Sequence, residues 1–191
     1  VPSKPELCNE VVVFGSNDFF IYACHKNTGK LKWKFLTEGE CKGSPTIDRH
    51  SKKVFAASFD GHLYCLDLGT GSLSWKKKLG LKLFNKPLIY KEKVYIGSYS
   101  YQVCALNKHN GKAIWYFMTK GRIVSSPIEN DGVICIGSHD GNLYALDAES
   151  GSLLWKFGTS GKITSSPRLS KKNLFVCSND GNLYCFKKNE S

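Results

Sequence analysis

The stretch SHDGNLYALDAESGSLLWKF, Ser138–Phe157, contains three Ser, a His, two Asp and a Glu, the raw material of acid–base or nucleophilic chemistry. It also contains two glycines and a tryptophan, the raw material of turns and packing. Its neighbours in the chain decide between the two. SFDGHLYCLDLGTGSLSWKK at 58–77 and SNDGNLYCF at 178–186 repeat its order of residues. Chemistry is needed once, so a pattern that recurs is structure.

The period is regular. Pro5, Pro45, Pro87, Pro127 and Pro167 are spaced 40, 42, 40 and 40 residues apart. Trp33, Trp75, Trp115 and Trp155 are spaced 42, 40 and 40 apart. After each proline come short runs rich in Val, Ile, Leu, Tyr and Phe, bounded by Gly, Asp, Asn or Ser. Such runs predict strands. Asp-Gly predicts a two-residue hairpin turn, because both residues tolerate positive φ. No window of a dozen residues shows a helical period. Each unit therefore holds four antiparallel strands in about 40 residues, the length of one propeller blade. Proline cannot donate to a sheet ladder, so it is expected to open the first strand, the one nearest the axis.

The fold class is all-β: a β-propeller of four-stranded blades, about five in number with the last incomplete. The expected units are 5–44, 45–86, 87–126, 127–166 and 167–191 of a single domain. Five copies of the first three strands stand against four Trp strands. A closed five-bladed ring, a piece of a larger ring and an assembly of two chains all fit that count, and the compact ring leads.

CLDLGTGSLSW (65–75) and ALDAESGSLLW (145–155) resemble the tryptophan-docking motif A-x-D-x-x-T-G-x-x-x-W of propellers named for pyrroloquinoline quinone (PQQ). ACHKNTGKLKW (23–33) keeps its Thr-Gly and Trp with His25 for the Asp, and ALNKHNGKAIW (105–115) keeps Gly and Trp. SSPIENDGVICIGSHDGNLYALD (125–147) is similar to the family's common blade. The family includes quinone-dependent dehydrogenases, an outer-membrane assembly lipoprotein, and propellers appended to acyl-adenylating enzymes of the aminoadipate-semialdehyde-dehydrogenase-like type. VFGSNDFFIYACHKNTGKLKWKF (13–35) is most similar to the last group. The resemblance implies a module of a larger, acyl-adenylating protein, with catalysis in other domains.

The same resemblance makes Trp33, Trp75, Trp115 and Trp155 structural docking residues, expected to pack between blades with the indole N–H bonded to a carbonyl. Asp67 and Asp147 are expected to bond turn N–H groups. Asp60, Asp140 and Asp180 share one repeat position and read as turn residues, with Asp18 nearby. His25, His50, His62, His109 and His139 share no ligand spacing, so no metal site is expected. His139 is the one residue of the opening stretch that this reading leaves without a role.

The quinone dehydrogenases of the family use an adjacent Cys-Cys pair and calcium-binding carboxylates. None of the eight cysteines here is adjacent to another, so no cofactor is expected. The cysteines fall on small or apolar strand positions, where Cys acts as a modest hydrophobe. Free thiols suit a reducing compartment, and no secretory leader opens the chain at Val1, so the expected location is cytoplasmic. No run approaches the length of a membrane helix.

The net charge of +11 comes from 27 Lys and Arg against 16 Asp and Glu. It favours acidic partners. In a meander of four strands, the blade junctions and the second-to-third-strand turns lie on one face. Lys82, Arg122 and Lys162 stand five residues before their prolines, with Glu40 at the first junction and Lys42 two residues on. Phe59, Tyr99 and Tyr101 lie in the turns of that face. Lys82, Arg122, Lys162, Lys42 and Tyr99 are thus the candidate site for an acidic or phosphorylated partner. No catalytic, cofactor or metal residue is assigned, and this chain alone is read as a binding or scaffold module and not as an enzyme. A PQQ-dependent oxidoreductase and a nucleic-acid-binding module are the alternatives.

Overall fold

A computed structural model describes residues 3–171 and 173–187. The end of the fifth unit, 188–191, and the second Lys of the pairs at 171–172 and 187–188 lie outside the described residues. Nineteen strands among the described residues form five antiparallel sheets.

The first sheet holds β1 (Glu6–Cys8), β2 (Val11–Gly15), β3 (Phe20–His25) and β4 (Leu31–Leu36). The second holds β5 (Thr46–Asp48), β6 (Lys53–Ala57), β7 (His62–Asp67) and β8 (Leu73–Lys78). The third holds β9 (Leu88–Tyr90), β10 (Lys93–Gly97), β11 (Gln102–Asn107) and β12 (Ala113–Met118). The fourth holds β13 (Ile128–Asn130), β14 (Val133–Gly137), β15 (Asn142–Asp147) and β16 (Leu153–Gly158). The fifth holds β17 (Arg168–Ser170), β18 (Asn173–Cys177) and β19 (Leu183–Lys187). Each sheet is a meander with strands in chain order. Each repeat proline stands one residue before its first strand, and the first strands of neighbouring sheets touch: β1 with β5, β5 with β9, β9 with β13.

The sheets stack through four apolar layers. Val13, Ile21 and Ala23 of the first sheet meet Val54, Ala56, Tyr64 and Leu66 of the second. Phe55, Leu63 and Cys65 on the other face of the second sheet meet Val94, Ile96 and Leu106 of the third. The pattern continues from third to fourth sheet and from fourth to fifth. A sheet buried on both faces needs an unbroken apolar run, which is why HLYCLD and NLYALD do not alternate with polar residues. Each fully buried Leu or Ile contributes roughly 1.5–3 kcal/mol to this stacking.

The fifth sheet differs. Leu143 of β15 is fully buried, whereas Leu183, its repeat equivalent in β19, is 64% exposed. Cys177 and Cys185 on the same outward face are exposed. No apolar layer joins the fifth sheet to the first among the described residues. The five sheets stack one on the next through these four layers.

The turns also differ from the expected two-residue form. Ser58 N–H bonds the His62 carbonyl (3.1 Å) and Gly61 N–H bonds the Ser58 carbonyl (3.0 Å), which encloses Phe59, Asp60 and Gly61. Only Gly61 takes a positive φ, 82°. This is a three-residue hairpin turn closing on a left-handed glycine. The third and fourth strands carry a register shift opposite the Trp, between Ala105 and Leu106 in the third sheet and at the same place in the first, second and fourth.

Candidate binding face

Four backbone bonds build the face. The amides of Phe59, Tyr99, His139 and Asn179, one per turn, donate to the carbonyls of Glu40, Lys82, Arg122 and Lys162 at 2.8, 3.0, 2.9 and 2.9 Å. Each junction is thereby fastened beside a turn of its own sheet. The meander carries all of them to one end of the stack.

A carboxylate latches three of these junctions. Asp60, Asp140 and Asp180 accept the junction amides of Glu38, Lys120 and Ser160 at 3.0, 2.8 and 3.0 Å. Their other oxygens accept the amides of His62, Asn142 and Asn182 within the turn. Tyr64, Tyr144 and Tyr184 add their hydroxyls at 2.7, 2.8 and 2.9 Å. Burial raises the Asp140 pKa, but bonds from Asn142, Tyr144 and the Lys120 amide outweigh it, and the carboxyl lies below its ordinary value. These aspartates are turn residues, and they also tie blade to blade. Thr119 and Thr159 close the preceding sheet beside each crossing by bonding the carbonyls of Tyr101 and Gly141 in its own turn. The repeat alignment gives no hint of these latches, because they join residues about 20 positions apart.

The candidate cations lie over rings of the preceding turn. Lys82 Nζ is 5.0 Å from the Phe59 centroid, and the Arg122 guanidinium carbon is 5.5 Å from that of Tyr99. Lys42 Nζ is 4.9 Å from the same Phe59 ring but also pairs with Glu40 at 2.9 Å. Lys82, Arg122 and Lys162 form no ion pair among the described residues. At the opposite end several cations are paired, Lys26 with Glu10, Lys53 with Asp67, Lys93 with Glu149, and Lys108 with both Asp48 and Glu92, while Lys30, Lys52 and Lys112 form no ion pair among the described residues.

His139 takes the turn position that Phe59 and Tyr99 hold in the second and third sheets. Its Nε2 is buried and has no hydrogen-bond partner among the described residues. Burial, then Lys162 and Arg122, push its pKa below the ordinary value, so it is a neutral ring beside two cations.

The tryptophans sit elsewhere, between sheets. Trp33, Trp75 and Trp115 donate from Nε1 to the carbonyls of Leu68, Lys108 and Ala148 at 2.9, 3.1 and 3.1 Å. A Cβ on Gly71, Gly111 or Gly151 would lie 2.5–2.7 Å from the indole below, so only glycine fits over the ring. Trp155 stacks on Phe186 at 5.7 Å and is 39% exposed.

Asp67 and Asp147 accept turn amides at 69–70 and 149–150, as expected. No two of the eight cysteines are bonded, and Cys65, Cys104 and Cys135 are pushed up to about 12 chiefly by burial. No group of three or more His, Cys, Asp or Glu able to hold a metal occurs among the described residues. With no adjacent cysteine pair either, the residues present do not fit the calcium–quinone arrangement of the quinone dehydrogenases. Among the described residues no helix is long and apolar enough to cross a membrane.

The family model of PQQ-like repeats described as outer membrane protein assembly factor BamB matches residues 17–186. The chain belongs to this family. The PQQ-like propeller resemblance of the repeat is thus shown. BamB from Moraxella catarrhalis superposes with a TM-score of 0.85 at 23% identity, over 96% of this chain and 57% of its own. Quinohemoprotein alcohol dehydrogenase from Comamonas testosteroni superposes with a TM-score of 0.87 at 14% identity, over 98% of this chain and 41% of its own. Identities this low speak for the propeller fold alone. Beta-alanine-activating enzyme from Mus musculus is 34% identical over 85 residues, 42% of this chain and 8% of that enzyme. The propeller here thus spans a small part of that relative's length.

Proposed function

We propose that this propeller is a non-catalytic binding module, part of a larger protein, that holds an acidic or phosphorylated group of a protein partner on its junction face. Lys82, Arg122 and Lys162 carry the site, Tyr99 and Phe59 position two of the cations, and Lys42 borders it. The supporting observation is the sorting of charge. Several lysines at the far end pair with carboxylates of the chain, while these three cations stand over or beside rings and form no ion pair among the described residues. Exposed cations without intramolecular partners are free to make charge-assisted bonds to carboxylate or phosphate.

Within this reading, Trp33, Trp75 and Trp115 are clasps between blades, supported by their carbonyl bonds and the glycines above them. The free thiols support a reducing, cytoplasmic setting. The stretch similar to beta-alanine-activating enzyme supports an activating enzyme as parent, with its chemistry in other domains.

The test is charge reversal of Arg122 and Lys162 together. The double variant is expected to lose at least about tenfold in affinity for a glutamate-rich peptide, with its melting temperature unchanged. Equal affinity in parent and variant removes this face as the site.

A further inference from the structure

The third sheet breaks the repeat at several positions at once, all around one recess on the junction face. Where the second, fourth and fifth sheets have Asp-Gly in the turn, the third has Ser100-Tyr101. Where the first, second, fourth and fifth have the tyrosine that bonds that carboxylate, the third has Cys104. Where the neighbouring junctions have Gly39, Gly121 and Gly161, this one has Leu81.

These replacements are physically coupled. A Cβ on Gly121 or Gly161 would come within 2.4 Å of the next sheet's Asp amide nitrogen, so those junctions exclude a side chain. In the third sheet Gly80, at a φ of 138°, turns the backbone, and Ser100 Oγ accepts the Leu81 amide at 3.0 Å in place of the carboxylate latch. Leu81 is freed to point outward and is 74% exposed. Tyr101 occupies the left-handed position, φ 63°, that glycine fills in three other sheets, and is 44% exposed. A bulky residue there is strained. Phe19 holds the same position in the first sheet at a φ of 73°.

The result is a recess of about 490 Å³ lined by Leu81, Lys82, Tyr99, Ser100, Tyr101 and Arg122. Two cations, Lys82 and Arg122, share this lining with Leu81 and two tyrosine rings. No carboxylate lines it, whereas the matching recess one sheet on is lined by Asp140. We infer that this recess is the specificity pocket of the binding face, and that its occupant is a large apolar side chain flanked by acidic residues in an extended peptide of the partner. The inference rests on the proposed junction-face function and adds to it what the partner must present. Charge complementarity selects the acidic flanks, and Leu81 and Tyr101 select the apolar residue between them.

The experiment uses the full chain and three fluorescent peptides in a Gly-Ser context, carrying Glu-Leu-Glu, Glu-Gly-Glu or Gly-Leu-Gly. Anisotropy is expected to show the first bound about tenfold more tightly than either of the others. The variant L81G/S100D/Y101G, which restores the sequence of the neighbouring units, is expected to bind the two acidic peptides alike. Y101G alone relieves backbone strain, melts at or above the parent's temperature, and is expected to lose most of the discrimination. Equal binding of Glu-Leu-Glu and Glu-Gly-Glu by the parent overturns the pocket and leaves the acidic face standing. Absence of binding to both acidic peptides overturns both. Displacement of Glu-Leu-Glu by a single-stranded oligothymidylate that binds more tightly overturns the peptide assignment.

Discussion

The Arg122 guanidinium carbon lies 5.5 Å from the centroid of the Tyr99 ring, with Tyr99 in the turn of the third sheet and Arg122 in the junction leading to the fourth. The contact orients a cation that has no carboxylate partner among the described residues. Exposed cation–π contacts contribute about 0.5–1 kcal/mol. Tyr99→Leu is therefore expected to weaken acidic-peptide binding about two- to fivefold, with little change in thermal stability. Titration calorimetry alongside a melting curve checks both halves of that expectation.

The tryptophans predict a graded stability series. Trp115 is 8% exposed, lies under Gly151 and bonds Ala148. Trp115→Ala should cost roughly 3–5 kcal/mol, because it leaves a void between the third and fourth sheets. Trp155, at 39% exposure, should cost less when truncated. Urea unfolding of the two variants gives the comparison, and equal losses would contradict the clasp role.

His139 predicts a pH dependence of defined sign. Its folded pKa is lowered below 6.5 by burial and by Lys162 and Arg122. Between the folded and unfolded values the unfolded chain binds more protons, so stability rises with pH through that window and levels off above it. As the pH falls through the window, this contribution is lost. His139→Phe, which installs the residue type of Phe59, should flatten that part of the stability–pH profile. Chemical denaturation at several pH values between 5 and 7.5 would show it.

The thiols predict a two-class labelling pattern. Cys177 and Cys185 are exposed, while Cys8, Cys41, Cys65, Cys104 and Cys135 are buried. Burial also raises Cys104 and Cys135 to about 12, so little thiolate forms at neutral pH. A thiol reagent followed by peptide mass mapping should modify Cys177 and Cys185 first and the five buried residues only on unfolding.

Much of the fold was legible because one period governs two residue types. Proline is confined to strand starts and tryptophan to a single place between sheets, so their spacing carried the blade count and the strand order. The turn chemistry was less legible: Asp-Gly announced a hairpin, but Ser58 and His62 close around three residues, and a dipeptide does not show that. The candidate cations were legible as equivalent repeat positions. The aromatic residues of the same face were legible too, but which ring each cation covers was not, because Lys82 over Phe59 and Arg122 over Tyr99 depend on the stagger between successive sheets. The departure of the third sheet was visible as the turn YSY. Its meaning required the bond from the Leu81 amide to Ser100, across 19 residues. His139, the leftover of the opening stretch, gains a place as the third ring in the row of turns.

The junction face is tested most directly by hydrogen exchange of the full chain with and without a glutamate-rich peptide. The account predicts slowed exchange at the junction amides of 81–82 and 121–122 and at the turn amides of Tyr99 and His139, with the hairpin at 49–52 on the opposite end unchanged. Slowing confined to that opposite hairpin, with the junction amides unaffected, would contradict it.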